Sequence, residues 1–124
     1  MHKSVLVVDD EQDIIDLVSG WLGSKGYNVV SASDGEEGLR IAKKDKPTVI
    51  ILDIKMPGMD GFEVLDRLRK EPDTRFTPVI MLTQKRETES MFRAKDLGTT
   101  DYLMKPFSVE ELLRLVKRYD WHNE

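Results

Sequence analysis

Short runs of β-branched and aliphatic residues alternate along the chain with segments whose apolar positions recur every three to four residues. Ser4 to Val8 reads as a first strand. Ile14, Ile15, Leu17, Val18, Trp21 and Leu22 then keep helical spacing over Gln12–Lys25, and Gly26 supplies a stop. Asn28–Ala32 is a second strand, and a turn at "SDG" leads into a second helix from about Gly35 to Lys44, ended by Pro47. Thr48–Leu52 is a third strand, apolar from Val49 onward. The proline and glycines of "KMPGMDG" make a loop, after which Phe62, Val64, Leu65 and Leu68 mark a third helix. Pro78–Leu82 is a fourth strand. A further helix is predicted over Glu87–Leu97, with Gly98 behind it, and Tyr102–Met104 is a short fifth strand. Ser108 caps a last helix carrying Leu112, Leu113, Leu115 and Val116, with Glu111 at the capping-box position.

Five strand–helix units thus follow one another without a linker, repeat or low-complexity tract. Strands that are apolar throughout, set between helices, belong in a parallel sheet covered on both faces. The fold class is α/β, a doubly wound five-stranded parallel sheet with helices on both faces. For such sheets the flavodoxin-like order 2-1-3-4-5 is the alternative to the dinucleotide-binding order, and ligands bind beyond the carboxyl ends of the strands.

The totals narrow the function. A chain of 124 residues suits one domain, expected to span 1–124. With 40% apolar and 34% charged residues it is expected to be soluble and globular. A net charge of −4 without a dense basic run argues against direct nucleic-acid binding. The absence of cysteine excludes disulfides, thiol catalysis and cysteine metal sites. No apolar run is long enough to span a bilayer, and the start lacks the pattern of a signal peptide. The expectation is a cytoplasmic protein with no membrane partner.

The strand ends carry the chemistry. Asp9 and Asp10 end the first strand, Asp53 the third, Thr83 the fourth and Lys105 the fifth, followed by Pro106. Any one polar strand end needs no explanation, but four of five meeting at one sheet edge do. Clustered carboxylates suit a hard divalent cation, and Mg²⁺ is commonly held by one or two carboxylates, waters and a phosphate oxygen. Aspartate is also a nucleophile toward phosphorus. Phosphoryl transfer depends mainly on positioning and charge neutralisation, which a metal, Lys105 and the Thr83 hydroxyl could supply.

The segments "VLVVDDE", "IILDIKMPGMDGFEVL", "VIMLT" and "GTTDYLMKPF" together resemble the receiver domain of two-component response regulators over essentially the whole chain. The resemblance implies that Asp53 accepts a phosphoryl group from a histidine kinase or phosphotransfer protein. It implies that Asp10, Asp53 and the Lys55 backbone carbonyl bind Mg²⁺, with Mn²⁺ as an alternative, and that Asp9 acts mostly through a metal-bound water. Thr83 and Lys105 would bind the phosphoryl group, and Tyr102 would be the aromatic switch. Read by pattern alone, Tyr102 is a half-buried strand residue. The resemblance further implies a cis Lys105–Pro106 bond. Phosphorylation would shift the surface formed by the fourth helix, fifth strand and last helix, controlling a downstream protein or effector domain. The domain would be a phosphoacceptor with its own phosphorylation and dephosphorylation chemistry, acting as a monomer or a phosphorylation-dependent dimer.

Some positions depart from common family usage. Gln84 stands after Thr83 in place of a small residue and is expected to narrow access to Asp53. Lys55 and Lys85 lie two residues beyond Asp53 and Thr83, at the pocket rim, where they favour an anionic donor over an attacking water. A long-lived phosphorylated state is the expectation. Thr99 and Thr100 replace a more common small–acidic pair. Leu115 stands where winged-helix members of the family would carry an arginine for dimerisation, which argues against that dimer. Glu11 reads as a helix-dipole acid within reach of a metal's water shell. His2 and His122 are terminal and are given no role. Trp121 reads as packing at the end of the last helix or as marking the boundary of an excised domain.

Three other functions fit less well. A phosphatase resembling the haloacid dehalogenase family would have two acids one residue apart after its first strand, whereas here they are adjacent and the nucleophile lies on strand three. A flavin carrier would need a Ser/Thr/Gly-rich turn where this chain has "DDEQD". An unphosphorylated pseudo-receiver conflicts with the intact set of acids.

Overall fold

A computed structural model describes residues 3–84 and 98–120. The helix expected over Glu87–Leu97, together with Lys85, His2, Trp121 and His122, lies outside the described residues. The described strands are β1 (Ser4–Val8), β2 (Asn28–Ala32), β3 (Val49–Asp53), β4 (Val79–Gln84) and β5 (Asp101–Lys105). The described helices are α1 (Gln12–Ser24), α2 (Gly35–Asp45), α3 (Gly61–Lys70) and the C-terminal helix α4 (Val109–Tyr119). All strand pairs are parallel, in the order β2-β1-β3-β4-β5. The doubly wound expectation and the 2-1-3-4-5 order therefore hold.

The apolar strands have two cores to fill. Leu6, Val8, Ile50, Leu52 and Met81 face Ala42, Val64, Leu65 and Leu68 of α2 and α3. Val5, Val7, Ile51, Ile80 and Leu82 face Val18 and Leu22 of α1 and Leu112, Leu115 and Val116 of α4. Alternation along each strand sends successive side chains to opposite faces, so burial on both sides requires apolar residues at every position. Leu115, singled out for the arginine it replaces, belongs to this second core.

Helix starts follow local side-chain chemistry. Asp34 and Asp60 accept the Glu37 and Glu63 backbone N–H groups, at 2.8 and 3.0 Å. Ser108 and Glu111 form the expected capping box. Gly26, at φ +94°, follows α1 as anticipated.

At the pole of the sheet away from the strand carboxyl ends, Arg69 gathers neutral acceptors beside the ion pairs Lys3–Asp120 and Arg118–Asp101. Arg69 donates through Nε to the Gly98 carbonyl at 2.9 Å and through Nη1 to the Thr77 and Thr74 carbonyls at 2.8 and 3.1 Å. Thr99 and Thr100 have a structural part here: the Thr100 hydroxyl accepts the Val79 N–H at 2.9 Å, and the Thr99 hydroxyl donates to the Val79 carbonyl at 3.2 Å. They register the start of β5 against the start of β4.

At the opposite pole α3 begins directly against β3. The Gly61 N–H donates to the Ile54 carbonyl at 2.8 Å, and a Cβ on Gly61 would lie 2.3 Å from the Asp53 carbonyl oxygen. Gly61→Ala should therefore lower stability by about 1–3 kcal/mol, the usual cost of overpacking a rigid site. Urea denaturation of the variant checks this, and an unchanged midpoint contradicts it.

Candidate functional site

The parallel register brings the predicted residues to one edge. β3 lies between β1 and β4, so Asp53 emerges between Asp9 and Thr83, while Gln84 is paired with Lys105 across β4 and β5. Asp9, Asp53 and Thr83 are buried, whereas Asp10 turns to solvent. Carboxylate oxygens of Asp9, Asp10 and Asp53 all lie within 4.8 Å of one another. Three acids this close require a cation, a proton or both.

Lys105 supplies the positive charge. Its ammonium donates to Asp9 Oδ2 at 3.1 Å and Glu11 Oε1 at 3.3 Å, and lies 3.2 Å from Asp53 Oδ1. The Lys105 side chain is only 11% exposed. Burial works against its charge, but the Asp53 and Asp9 carboxylates outweigh that effect and hold its pKa above the ordinary value. Asp9 is satisfied on both oxygens, since Oδ1 accepts the Glu11 backbone N–H at 2.9 Å.

Asp53 is left short of compensation. Burial is the largest influence and pushes its carboxyl from the ordinary 3.8 up to about 7, with the neighbouring Asp9 charge adding to the rise and Lys105 opposing it. One ammonium does not balance this group of acids. The donor set, all hard oxygens around a charge deficit, fits a divalent cation such as Mg²⁺.

The remaining predicted residues are placed as follows. Thr83 is 1% exposed, and its hydroxyl donates to the Gln84 carbonyl at 3.3 Å. Lys55 is exposed on the loop after β3, and Gln84 is exposed at the end of β4. The Lys105–Pro106 bond is cis. Tyr102 is 40% exposed, more open than the half-buried strand pattern suggests, because β5 is an edge strand. Reading residues one at a time missed the Glu11–Lys105 contact. The signal available was three consecutive acids opposite a single strand-end lysine.

The comparisons agree with this arrangement. Residues 5–117 match the family model of the response regulator receiver domain. The chain is 44% identical over 117 residues to the alkaline phosphatase synthesis transcriptional regulatory protein PhoP of Bacillus subtilis, covering 94% of this chain and 48% of that protein. It therefore spans about half the length of that relative. Among solved structures, chemotaxis protein CheY4 of Vibrio cholerae superposes with a TM-score of 0.91 at 40% identity, covering 96% of this chain and 99% of the other. The receiver domain of sensor histidine kinase PA1611 from Pseudomonas aeruginosa, with a magnesium ion in its active-site cleft, gives a TM-score of 0.89 at 28% identity, covering 98% and 99%. By sequence and by fold, the chain belongs to the response regulator receiver domain family of two-component signalling.

Proposed function

We propose that Asp53 is the phosphoacceptor of a phosphorylation-activated switch served by a histidine kinase or phosphotransfer protein. The observation that carries this reading is the meeting of Asp53 with Asp9, Asp10 and the Lys105 ammonium in one pocket at the strand ends. An Asp53 carboxylate oxygen forms a bond to phosphorus as the phosphorus–nitrogen bond of a phosphohistidine breaks. The imidazole leaves with the bonding pair. Lys105 is positioned to donate to a phosphoryl oxygen, and the Thr83 hydroxyl can turn from the Gln84 carbonyl to do the same.

Asp10, Asp53 and the Lys55 carbonyl would hold Mg²⁺, with Asp9 contributing through a water. A bound Mg²⁺ neutralises both the carboxylates and the incoming phosphoryl group. The magnesium reported for the Pseudomonas receiver domain supports this assignment. Movement of Thr83 would open space for Tyr102 to turn inward, biasing a surface that includes β5, α4 and the segment between β4 and β5. That surface would meet an effector domain or a separate protein, the chain acting as a monomer or a phosphorylation-dependent dimer. Residues 1–124 would form one receiver domain. Gln84, Lys55 and Lys85 would control access, admitting an anionic donor more readily than a hydrolytic water.

Acetyl phosphate with Mg²⁺ should add one phosphoryl group, seen by intact mass. Asp53→Asn should abolish the adduct and EDTA should suppress it. An undiminished adduct in Asp53→Asn sinks the assignment.

The raised Asp53 pKa gives a pH dependence of definite sign. The metal-free fold favours its protonated form, and that stabilisation is complete below about 3.8 and lost as pH rises through about 7. In EDTA, stability should fall between about pH 5 and pH 8 by about 1–3 kcal/mol from this group. Asp53→Asn should remove that component, and a parent-like pH slope in the variant contradicts it.

Asp10→Asn removes one member of the repelling group. It should stabilise the metal-free fold by about 1 kcal/mol, the size of a one-unit pKa coupling, while weakening Mg²⁺ binding. Urea denaturation with and without Mg²⁺ tests both effects, and equal destabilisation in the two conditions would be the wrong outcome.

A further inference from the structure

An ammonium has three N–H groups, and the Lys105 ammonium faces three carboxylates. A phosphoryl oxygen arriving on Asp53 can be bonded by Lys105 only if one of these contacts gives way. The three are not equally easy to release. Asp9 is fully buried, so losing the ammonium would leave a buried carboxylate oxygen without that partner, which is costly. Asp53 is the reacting group itself. Glu11 is different: its side chain is 55% exposed, and water can take over from the ammonium without a desolvation penalty.

Glu11 is also free to move for a local reason. It is the N-cap residue of α1, yet its side chain makes no capping hydrogen bond. Its backbone N–H holds Asp9 while its carboxylate reaches Lys105 from the solvent side. Backbone and side chain thus act on the two sides of the same ion pair.

We propose that Glu11 is a positioning residue that tethers the Lys105 ammonium from the solvent side and must be displaced before Lys105 engages an anionic phosphodonor. The proposal rests on Asp53 being the phosphoacceptor. The tether opposes donor binding and leaves the bond-making step unaltered. In that step the Asp53 oxygen–phosphorus bond forms as the donor's phosphorus–oxygen bond breaks and acetate departs. Glu11 therefore sets how much donor is needed and has little effect on the limiting rate.

Charge and contact can be separated by side-chain length. Glu11→Asp keeps the charge but draws it back from Lys105, whereas Glu11→Gln removes the charge at full length. Neither change deletes a cap. With acetyl phosphate and Mg²⁺, both variants should lower the half-saturating donor concentration about two- to fivefold, the size of a partly exposed ion pair, with a nearly unchanged limiting rate. A Glu11→Asp that behaves like the parent would overturn the tether, because the effect would then be one of charge at the pocket mouth. A change confined to the limiting rate would overturn it as well. The Lys105 ε-methylene NMR signal, recorded without donor, gives an independent readout. It should shift in both variants, and an unmoved signal in Glu11→Asp refutes the contact even if the parent takes up no phosphoryl group. Absence of phosphorylation in the parent would count against the proposed function, and the NMR signal would still decide the tether.

Discussion

The site depends on an unequal balance of charge, one ammonium set among several carboxylates. Lys105 reaches Asp9, Glu11 and Asp53 together because β5 runs two residues past the level of Asp53, which pairs with Leu82 and through it with Leu103. Removing the ammonium would leave two buried acids facing each other without a counter-charge, and adding a second fixed cation would saturate them. The pocket is thus held partly compensated, and the proposed binding of a metal and a phosphoryl group builds on that shortfall. Asp53, raised to about 7, is where the shortfall is expressed.

The scaffold keeps that imbalance from relaxing. Asp9 and Asp53 follow runs buried on both faces, so neither strand end can withdraw into solvent without disturbing a core. The Gly61 approach to the Asp53 carbonyl blocks movement from the α3 side. Side-chain charge is placed by backbone packing together with the polar contacts that Asp9 makes to the Glu11 N–H and to Lys105.

Much of this was legible in the sequence. Continuous apolar strands implied burial on two faces, and the acids, threonine and lysine at their ends implied a common edge. The cap at Ser108 and the stop at Gly26 were readable because capping uses short, local side-chain patterns. Strand limits were less so: β3 runs on to Asp53 and β4 to Gln84, since ladder pairing with neighbours sets strand ends and is a long-range property. The exposure of Tyr102 depends on β5 being an edge strand, which local alternation does not encode. The Glu11 contact was hidden for a similar reason, since a surface acid beside two buried ones looks like helix-dipole chemistry until the lysine's position is known.

The two poles of the sheet are fastened by different chemistry. At one, Arg69 gathers three backbone carbonyls, and the threonines beside β5 add hydroxyl bonds. Carbonyl oxygens gain no proton in the physiological range and bring no formal charge for salt to screen. At the other pole the contacts of Lys105 with Asp9, Glu11 and Asp53 are ionic. Ion pairs close the Arg69 pole as well, Lys3 with Asp120 and Arg118 with Asp101, both at 3.4 Å, but there each acid is matched by one base. Divalent cations therefore act chiefly on the end whose charges are unmatched. The domain resembles a lever clamped at its balanced end, with a divalent cation able to push on the unbalanced one.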